Sequence, residues 1–332
     1  MSPAAPPIEE LQPRRIHLYR PHNQLGDLLL NVPAIRAVRG RWPEAHLTLI
    51  AGRQNAAAVL GQPWADEIRV VETRNFFGVL RASLMPGPEP DLAIYFTTVS
   101  YSRSGAFLAR RSGAAERIGF DPARYGERDR VGLTRAVPYP GARCHQSELC
   151  LALARAAGAA GAAPPPPPYY VPDPDLVSRV PEGVAYLHPG AGKIKNRWPA
   201  EGFAAVAREL LGQGLEVCLV DGPQDAGTVE AVWTALGREI PASRGEAIPV
   251  LAARFARAAV YVGNDTGLLH LAGAVGCPTV GIYGPTDPTE WSPVGARVRS
   301  VRAADALLAS VTPRDVLGVV IPFLEEARCA RV

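Results

Sequence analysis

The chain has 332 residues, 47% of them hydrophobic and 20% charged, and a formal net charge of +3. This is the balance of a globular protein with room for two ordinary domains, and no run of about 18 uninterrupted apolar residues argues for a membrane span. So mild a charge gives no reason to expect a nucleic-acid partner, and five scattered cysteines without a CxxC pair point to neither a disulfide framework nor a zinc site.

Residues 1–15 (MSPAAPPIEELQPRR) lack a basic start followed by an apolar core. They read as a short disordered leader, and the expected location is cytoplasmic. Over residues 16–160, β-favouring apolar runs near Ile16 to Tyr19, Leu47 to Ala51, Ile68 to Val71, Leu92 to Phe96 and Arg117 to Phe120 alternate with helical patterns near 28–39, 76–84, 101–111 and 145–157. The stretch from Tyr101 to Arg135 carries eight arginines against four acids. Such a stretch suits an anionic acceptor or an anionic membrane surface, so peripheral association with a membrane stays open; a solvated face is the plainer reading. Residues 161–176 form a proline-rich linker, because five consecutive prolines join neither a helix nor a central strand. Within it, Asp173-Pro174-Asp175 has the DxD spacing of metal-dependent sugar transferases, but it lies outside any strand end and is not expected to hold a metal.

Alternation resumes over residues 177–311. Strands are predicted near Ala185 to His188, Glu216 to Val220, Ala259 to Val262 and Thr279 to Ile282, with helices near 200–213, 225–236, 247–257 and 267–275. Strict alternation predicts an α/β fold of two parallel-sheet, Rossmann-like domains facing a cleft. Ligands of such sheets gather beyond the carboxyl ends of the strands, so the loops that follow strands carry the chemistry.

Three of these loops stand out. In HPGAGKIKNRWP (188–199), Gly190, Ala191 and Gly192 allow backbone N–H groups to converge into an anion-binding nest. Lys193 and Lys195 beside them are the only lysines in the chain, against 33 arginines. In NDTGLLH (264–270), an apolar run ends and a helix begins, and a helix N-terminus welcomes an anion. Gly267 clears the approach and the Thr266 hydroxyl could add a donor; Asp265 as a mere helix cap is the bland alternative. In RPHNQLGD (20–27), Asp27 opens a helix where a general base would stand, although a capping role is the simpler reading. After the strand EVCLV, Asp225 is placed to accept a hydrogen bond from a ribose or sugar hydroxyl, or else to cap the next helix. The dinucleotide fingerprint is incomplete, since Lys195 stands where its third glycine belongs.

The segments LGDLLLNVPAIRAVRGRWPEAHLTLI, HPGAGKIKNRWPAEGFAAVA and NDTGLLHLAGAVGCPTVGIYGPTDP, in that order, resemble glycosyltransferase family 9, the ADP-heptose:lipopolysaccharide heptosyltransferases. The resemblance implies a GT-B fold, with the acceptor on the first domain, the nucleotide-sugar on the second, and a C-terminal helix within 312–332 crossing back to the first. It also implies inversion at the anomeric carbon with no metal or cofactor, Asp27 as the catalytic base, and a D-T-G-x-x-H motif of Asp265, Thr266, Gly267 and His270. In that motif the threonine and glycine hold the diphosphate and the aspartate contacts the sugar. Many members have a lysine where Asn196 stands here, so the phosphate cation falls to Lys193, Lys195 or Arg197. The arginine-, alanine- and proline-rich composition leaves room for another acceptor, such as a secondary metabolite, and another nucleotide-sugar. A non-catalytic nucleotide-sugar sensor would keep the phosphate loops and have no use for Asp27. A GT-B epimerase would need no acceptor.

Overall fold

The computed structural model describes residues 10–329 except 74, 85–86, 128–131, 142, 160–167 and 224. It divides into two compact units, Met1–Pro165 and Pro166–Val332. Residues 161–167 of the expected proline-rich linker lie outside the described residues.

The first unit runs β1 (Arg15–Arg20), α1 (Leu25–Arg41), β2 (His46–Gly52), α2 (Ala56–Val59), β3 (Glu67–Val71), α3 (Phe76–Ser83), β4 (Leu92–Tyr95), α4 (Arg103–Arg111), β5 (Glu116–Phe120), β6 (Arg135–Val137) and α5 (Gln146–Ala154). Its six strands are all parallel, in the order β3-β2-β1-β4-β5-β6. The central β1 is buried on both faces, as the near-continuous apolar run IHLY requires of a strand covered by helices on either side. α1 is buried all round from Leu28 to Ile35 and packs on α5. On the other face of the sheet, α3 and α4 set Val79, Ala82, Leu108 and Ala109 against Tyr19, Ile50, Val71 and Tyr95.

The second unit runs α6 (Pro174–Val177), β7 (Ala185–His188), α7 (Ala200–Gly212), β8 (Val217–Asp221), α8 (Thr228–Leu236), β9 (Ala242–Arg244), α9 (Ile248–Ala256), β10 (Val260–Asn264), α10 (Gly267–Ala274), β11 (Thr279–Tyr283), α11 (Pro288–Trp291), β12 (Val298–Arg302) and α12 (Pro313–Cys329). Its parallel sheet has the order β12-β11-β10-β7-β8-β9. Counted from its own first strand, this repeats the order of the first unit. In both, the strand order reverses between the first and fourth strands, and that reversal is where doubly wound sheets open a crevice for a ligand.

The C-terminal helix α12 buries Val316, Val320, Phe323 and Leu324 in the core of the second unit, against α7, β11 and β12. Its apolar stripe is thereby used within the unit that precedes it. Three short strands, β6, β9 and β12, were not legible as strands. β6 and β9 have three residues each, and β12, VRSVR, is an edge strand with one buried position.

Candidate functional site

In the first unit the candidate residue Asp27 stands at the end of β1, where the chain turns into α1. It is the third residue of the helix rather than its cap; Gln24 holds that position without a side-chain cap bond. Its partner is Arg20, the last residue of β1, whose Nη2 lies 2.5 Å from Asp27 Oδ2. The guanidinium is buried while the Asp27 side chain remains 24% exposed, so the carboxylate is held from below and open above. Arg20 Nη1 donates to His22 Nδ1 at 2.8 Å, and His22 Nε2 lies 3.0 Å from Ser102 Oγ. A guanidinium can only donate, so Nδ1 accepts, and the proton of the neutral ring sits on Nε2 and points to Ser102. Burial, helped by the Arg20 charge, pushes the His22 pKa down to about 4 and keeps the ring neutral at pH 7. Ser102 in turn accepts from Gly105 N at 3.0 Å and caps α4.

The loop that carries this chain of contacts is clamped from three sides. Asn55 Nδ2 donates to the His22 carbonyl (2.9 Å), Gln54 N to Asn23 Oδ1 (3.0 Å) and the Thr73 hydroxyl to the Pro21 carbonyl (3.0 Å). A positioned base needs such support, because its aim decides whether a proton transfer is productive.

In the second unit the remaining candidates converge beyond β7 and β10, at the strand-order reversal. Asn264 ends β10 with no solvent exposure and joins the two loops. Its Nδ2 donates to the Pro189 and Gly190 carbonyls at 2.9 and 3.2 Å, and its Oδ1 accepts from Trp198 N at 2.9 Å. Thr266 is the N-cap of α10, yet its side chain makes no cap bond. Instead its Oγ1 lies 3.2 Å from His188 Nδ1, and His188 Nε2 lies 3.0 Å from Asp225 Oδ2. Burial opposes ionisation of Asp225, but the His188 hydrogen bond and charge and the Gly222 N–H outweigh it, so its carboxyl titrates below the usual range. An ionised carboxylate only accepts, so His188 carries a proton on Nε2, and its Nδ1 faces the Thr266 hydroxyl. The first-turn N–H groups of α10 are thus left without the cap residue's side chain, the condition under which they can receive an anion.

Several expectations change in detail. Asp225 is only 5% exposed and is turned inward onto His188, so it props the site from behind instead of offering an open acceptor to a ribose. The Thr266 hydroxyl is already in contact with His188 Nδ1. Neither Gly190 nor Gly192 has a positive φ, so 190–192 is not a nest of alternating handedness. Gly190 is required for another reason: a Cβ there would run into the Asp225 carboxyl group. Gly190 and Ala191 are buried, whereas Gly192, Lys193 and Lys195 are exposed on the same loop. Arg197 is turned back, its Nε donating to the Ala191 carbonyl at 2.8 Å. His270 is buried on α10, 3.8 Å from Asp265 Oδ1. The DxD segment is a helix start, with Asp173 accepting from Asp175 N. Among the described residues, no group of three His, Cys, Asp or Glu side chains is arranged to hold a metal.

Arg20, His22, Ser102 and His188 were not singled out from the sequence. His188 and Arg20 each end a strand, and that position was the available signal.

The model of the family described as "Glycosyltransferase family 9 (heptosyltransferase)" matches residues 98–317. Lipopolysaccharide heptosyltransferase 3 of Escherichia coli is 25% identical over 292 residues, covering 81% of this chain and 83% of that one. Lipooligosaccharide heptosyltransferase 2 of Haemophilus influenzae is 31% identical over 141 residues, a match that spans only 39% of either protein. The solved structure of E. coli heptosyltransferase WaaC with ADP aligns over 94% of this chain and 99% of its own with a TM-score of 0.73; at 19% identity this likeness shows the GT-B fold alone. With the match to the family model spanning 98–317 of its 332 residues, the chain belongs to glycosyltransferase family 9.

Proposed function

We propose that the protein is an inverting, metal-independent glycosyltransferase that moves a heptose or related sugar from ADP-heptose to a hydroxyl of a lipopolysaccharide-core acceptor. Relatives named as lipopolysaccharide heptosyltransferases support the sugar and the acceptor, and the similarity to a heptosyltransferase solved with ADP supports the nucleotide. The observation that carries the reading is the helix N-terminus at Thr266–Gly267, whose cap side chain is turned to His188 and away from the first-turn N–H groups.

The chemistry assigns one task to each unit. Asp27 accepts the proton of the acceptor hydroxyl as that oxygen attacks the anomeric carbon from the face opposite the diphosphate. The bond from that carbon to the diphosphate oxygen breaks, configuration inverts, and ADP leaves. The charge that grows on the leaving diphosphate is met by the main-chain N–H groups of Gly267 and Leu268 and by Lys193, with Lys195 nearby on the loop, and fixed donors aimed at developing charge are the strongest contribution a protein can make to such a step. Asp265 contacts the sugar, with His270 Nε2 3.8 Å from its Oδ1.

A panel of nucleoside diphosphates tests this. ADP should raise the unfolding midpoint more than GDP, UDP or CDP, with about 2.7 kcal/mol of stabilisation at a hundredfold excess over its Kd. Incubation with ADP-heptose and a lipopolysaccharide-core acceptor should yield a product of inverted anomeric configuration by NMR, at a rate unchanged by a chelator. No preference for ADP, or a product of retained configuration, rejects the assignment.

A further inference from the structure

Of the arginines in the basic stretch 101–135, several are engaged by the fold. Arg117 donates through Nε and Nη1 to the Gly132 and Ala114 carbonyls, Arg135 pairs with the buried Glu116 at 3.0 Å, and Arg124 stacks over the Tyr139 ring. Arg110 and Arg111 differ: they lie exposed at the end of α4, on the same outward side as Arg103, whose side chain is 85% exposed although its Nη2 reaches Glu127 Oε1 at 3.1 Å.

α3 and α4 lie side by side on one face of the first unit's sheet, and their inward residues Val79, Ala82, Leu108 and Ala109 meet a single apolar cluster. With 3.6 residues per turn, the opposite stripes of both helices point away from the sheet together. That of α3 and its C-cap is Phe77, Leu80, Arg81 and Leu84; that of α4 is Arg103, Phe107, Arg110 and Arg111. Phe77 is 80% exposed, Leu84 62%, Phe107 39% and Leu80 36%. Single exposed apolar residues are ordinary on any protein, but four on two adjacent helices, interleaved with four arginines, form a patterned surface. Side-chain caps from Asn75 (to Gly78 N, 2.7 Å) and Ser102 fix both helix starts, so the pattern is built on ordered backbone.

We propose that this outward face of α3 and α4 docks on an anionic membrane surface, with Phe77, Leu80, Leu84 and Phe107 entering the headgroup boundary and Arg81, Arg103, Arg110 and Arg111 meeting lipid phosphates. Charge complementarity selects the occupant: a soluble polyanion would satisfy the arginines and leave the phenylalanines in water, whereas an anionic lipid layer satisfies both. Among the described residues no helix is long and apolar enough to cross a membrane, and short helices with one apolar and basic face lie on a bilayer instead of spanning it. Between Tyr101, Phe107, Arg110 and Glu127 the surface dips into an open depression of about 520 Å³, room for a headgroup. The proposal does not rest on the donor, the acceptor or Asp27.

Sedimentation of the full-length protein with vesicles tests it without substrate. Vesicles containing roughly a third phosphatidylglycerol should carry the protein down, pure phosphatidylcholine vesicles should not, and salt should weaken the association. Each arginine near an anionic surface is worth roughly fivefold in partition, so R110E/R111E should lower binding by about 25-fold or more. F77D/L84D should lower it by roughly tenfold or more, because the inserted apolar area is lost. Circular dichroism and the unfolding midpoint check that each variant folds; R110E/R111E changes only exposed side chains and keeps the test alive if the other pair fails that check. Three results overturn the proposal: no preference for anionic vesicles, binding unaffected by R110E/R111E, or conversion of a dimer to a monomer by F77D/L84D, which would make this a face for a second copy of the chain.

Discussion

Asp27 and Arg20 define the residue scale. Under the proposed mechanism, Asp27→Asn keeps the shape of the side chain and removes its ability to take a proton. Turnover should fall by about 10²–10⁴-fold while calorimetry finds ADP affinity nearly unchanged. Arg20→Lys is not conservative here, because one ammonium nitrogen cannot reproduce the planar fork whose two separate nitrogens reach Asp27 and His22. It should lower kcat and leave the donor KM close to wild type. Lys193 is exposed, and its loss should raise the donor KM by roughly tenfold, consistent with one charge-assisted contact, without shifting the unfolding midpoint. Asp27 was legible from the sequence because it sits where a strand ends and a helix begins. The chain Arg20–His22–Ser102 was not, since Ser102 is 80 residues from His22 and only the fold brings them together. Asp225 was legible as an acid after a strand, but its inward direction depends on the missing side chain of Gly190.

The loop after β7 and the start of α10 act as elements. Gly190→Ala would drive a methyl group into Asp225 and part it from His188, and with it the partner of Thr266. Overpacking of this kind costs roughly 1–3 kcal/mol, seen as a lower unfolding midpoint, and under the proposed function ADP should rescue less of it than in wild type because the loop proposed to meet the donor is itself displaced. The interior strands of both sheets could be read because burial on both faces demands unbroken apolar runs such as IHLY and AYLH. Of the edge strands, β3 was read near Ile68 to Val71, whereas β6, β9 and β12 were not. β12, VRSVR, mixes apolar, charged and polar residues without a strand period over five positions, a composition that a surface loop shares, and its neighbour β11 decides that it pairs.

At the scale of the whole molecule, alternation of strands and helices implied parallel sheets but not their order, which depends on the side to which each crossover turns. The repeat of one strand order in both units emerges only from the coordinates. Acid sensitivity is a property at this scale. Burial, with help from Arg69, pushes His17 down to about 4, and burial with Arg20 does the same to His22. An unfolded histidine titrates near 6.5, so between pH 6.5 and 4 the unfolded chain binds more protons than the folded one. Their contribution is therefore complete above pH 6.5 and is lost as pH falls towards 4. Urea unfolding at pH 7 and pH 5 should show a lower midpoint at pH 5, and replacing both histidines with glutamine should flatten that difference; an unchanged slope would place the acid-sensitive groups elsewhere.

The Asn264 side chain, gripping the 189–190 carbonyls with its nitrogen and the Trp198 amide with its oxygen, turns two separate loops into one mechanical part. The entropy of arranging them is settled when the chain folds, before any nucleotide arrives. Under the proposed function a diphosphate would therefore meet a finished socket, leaving its binding energy available for straining the sugar towards departure instead of assembling its own host.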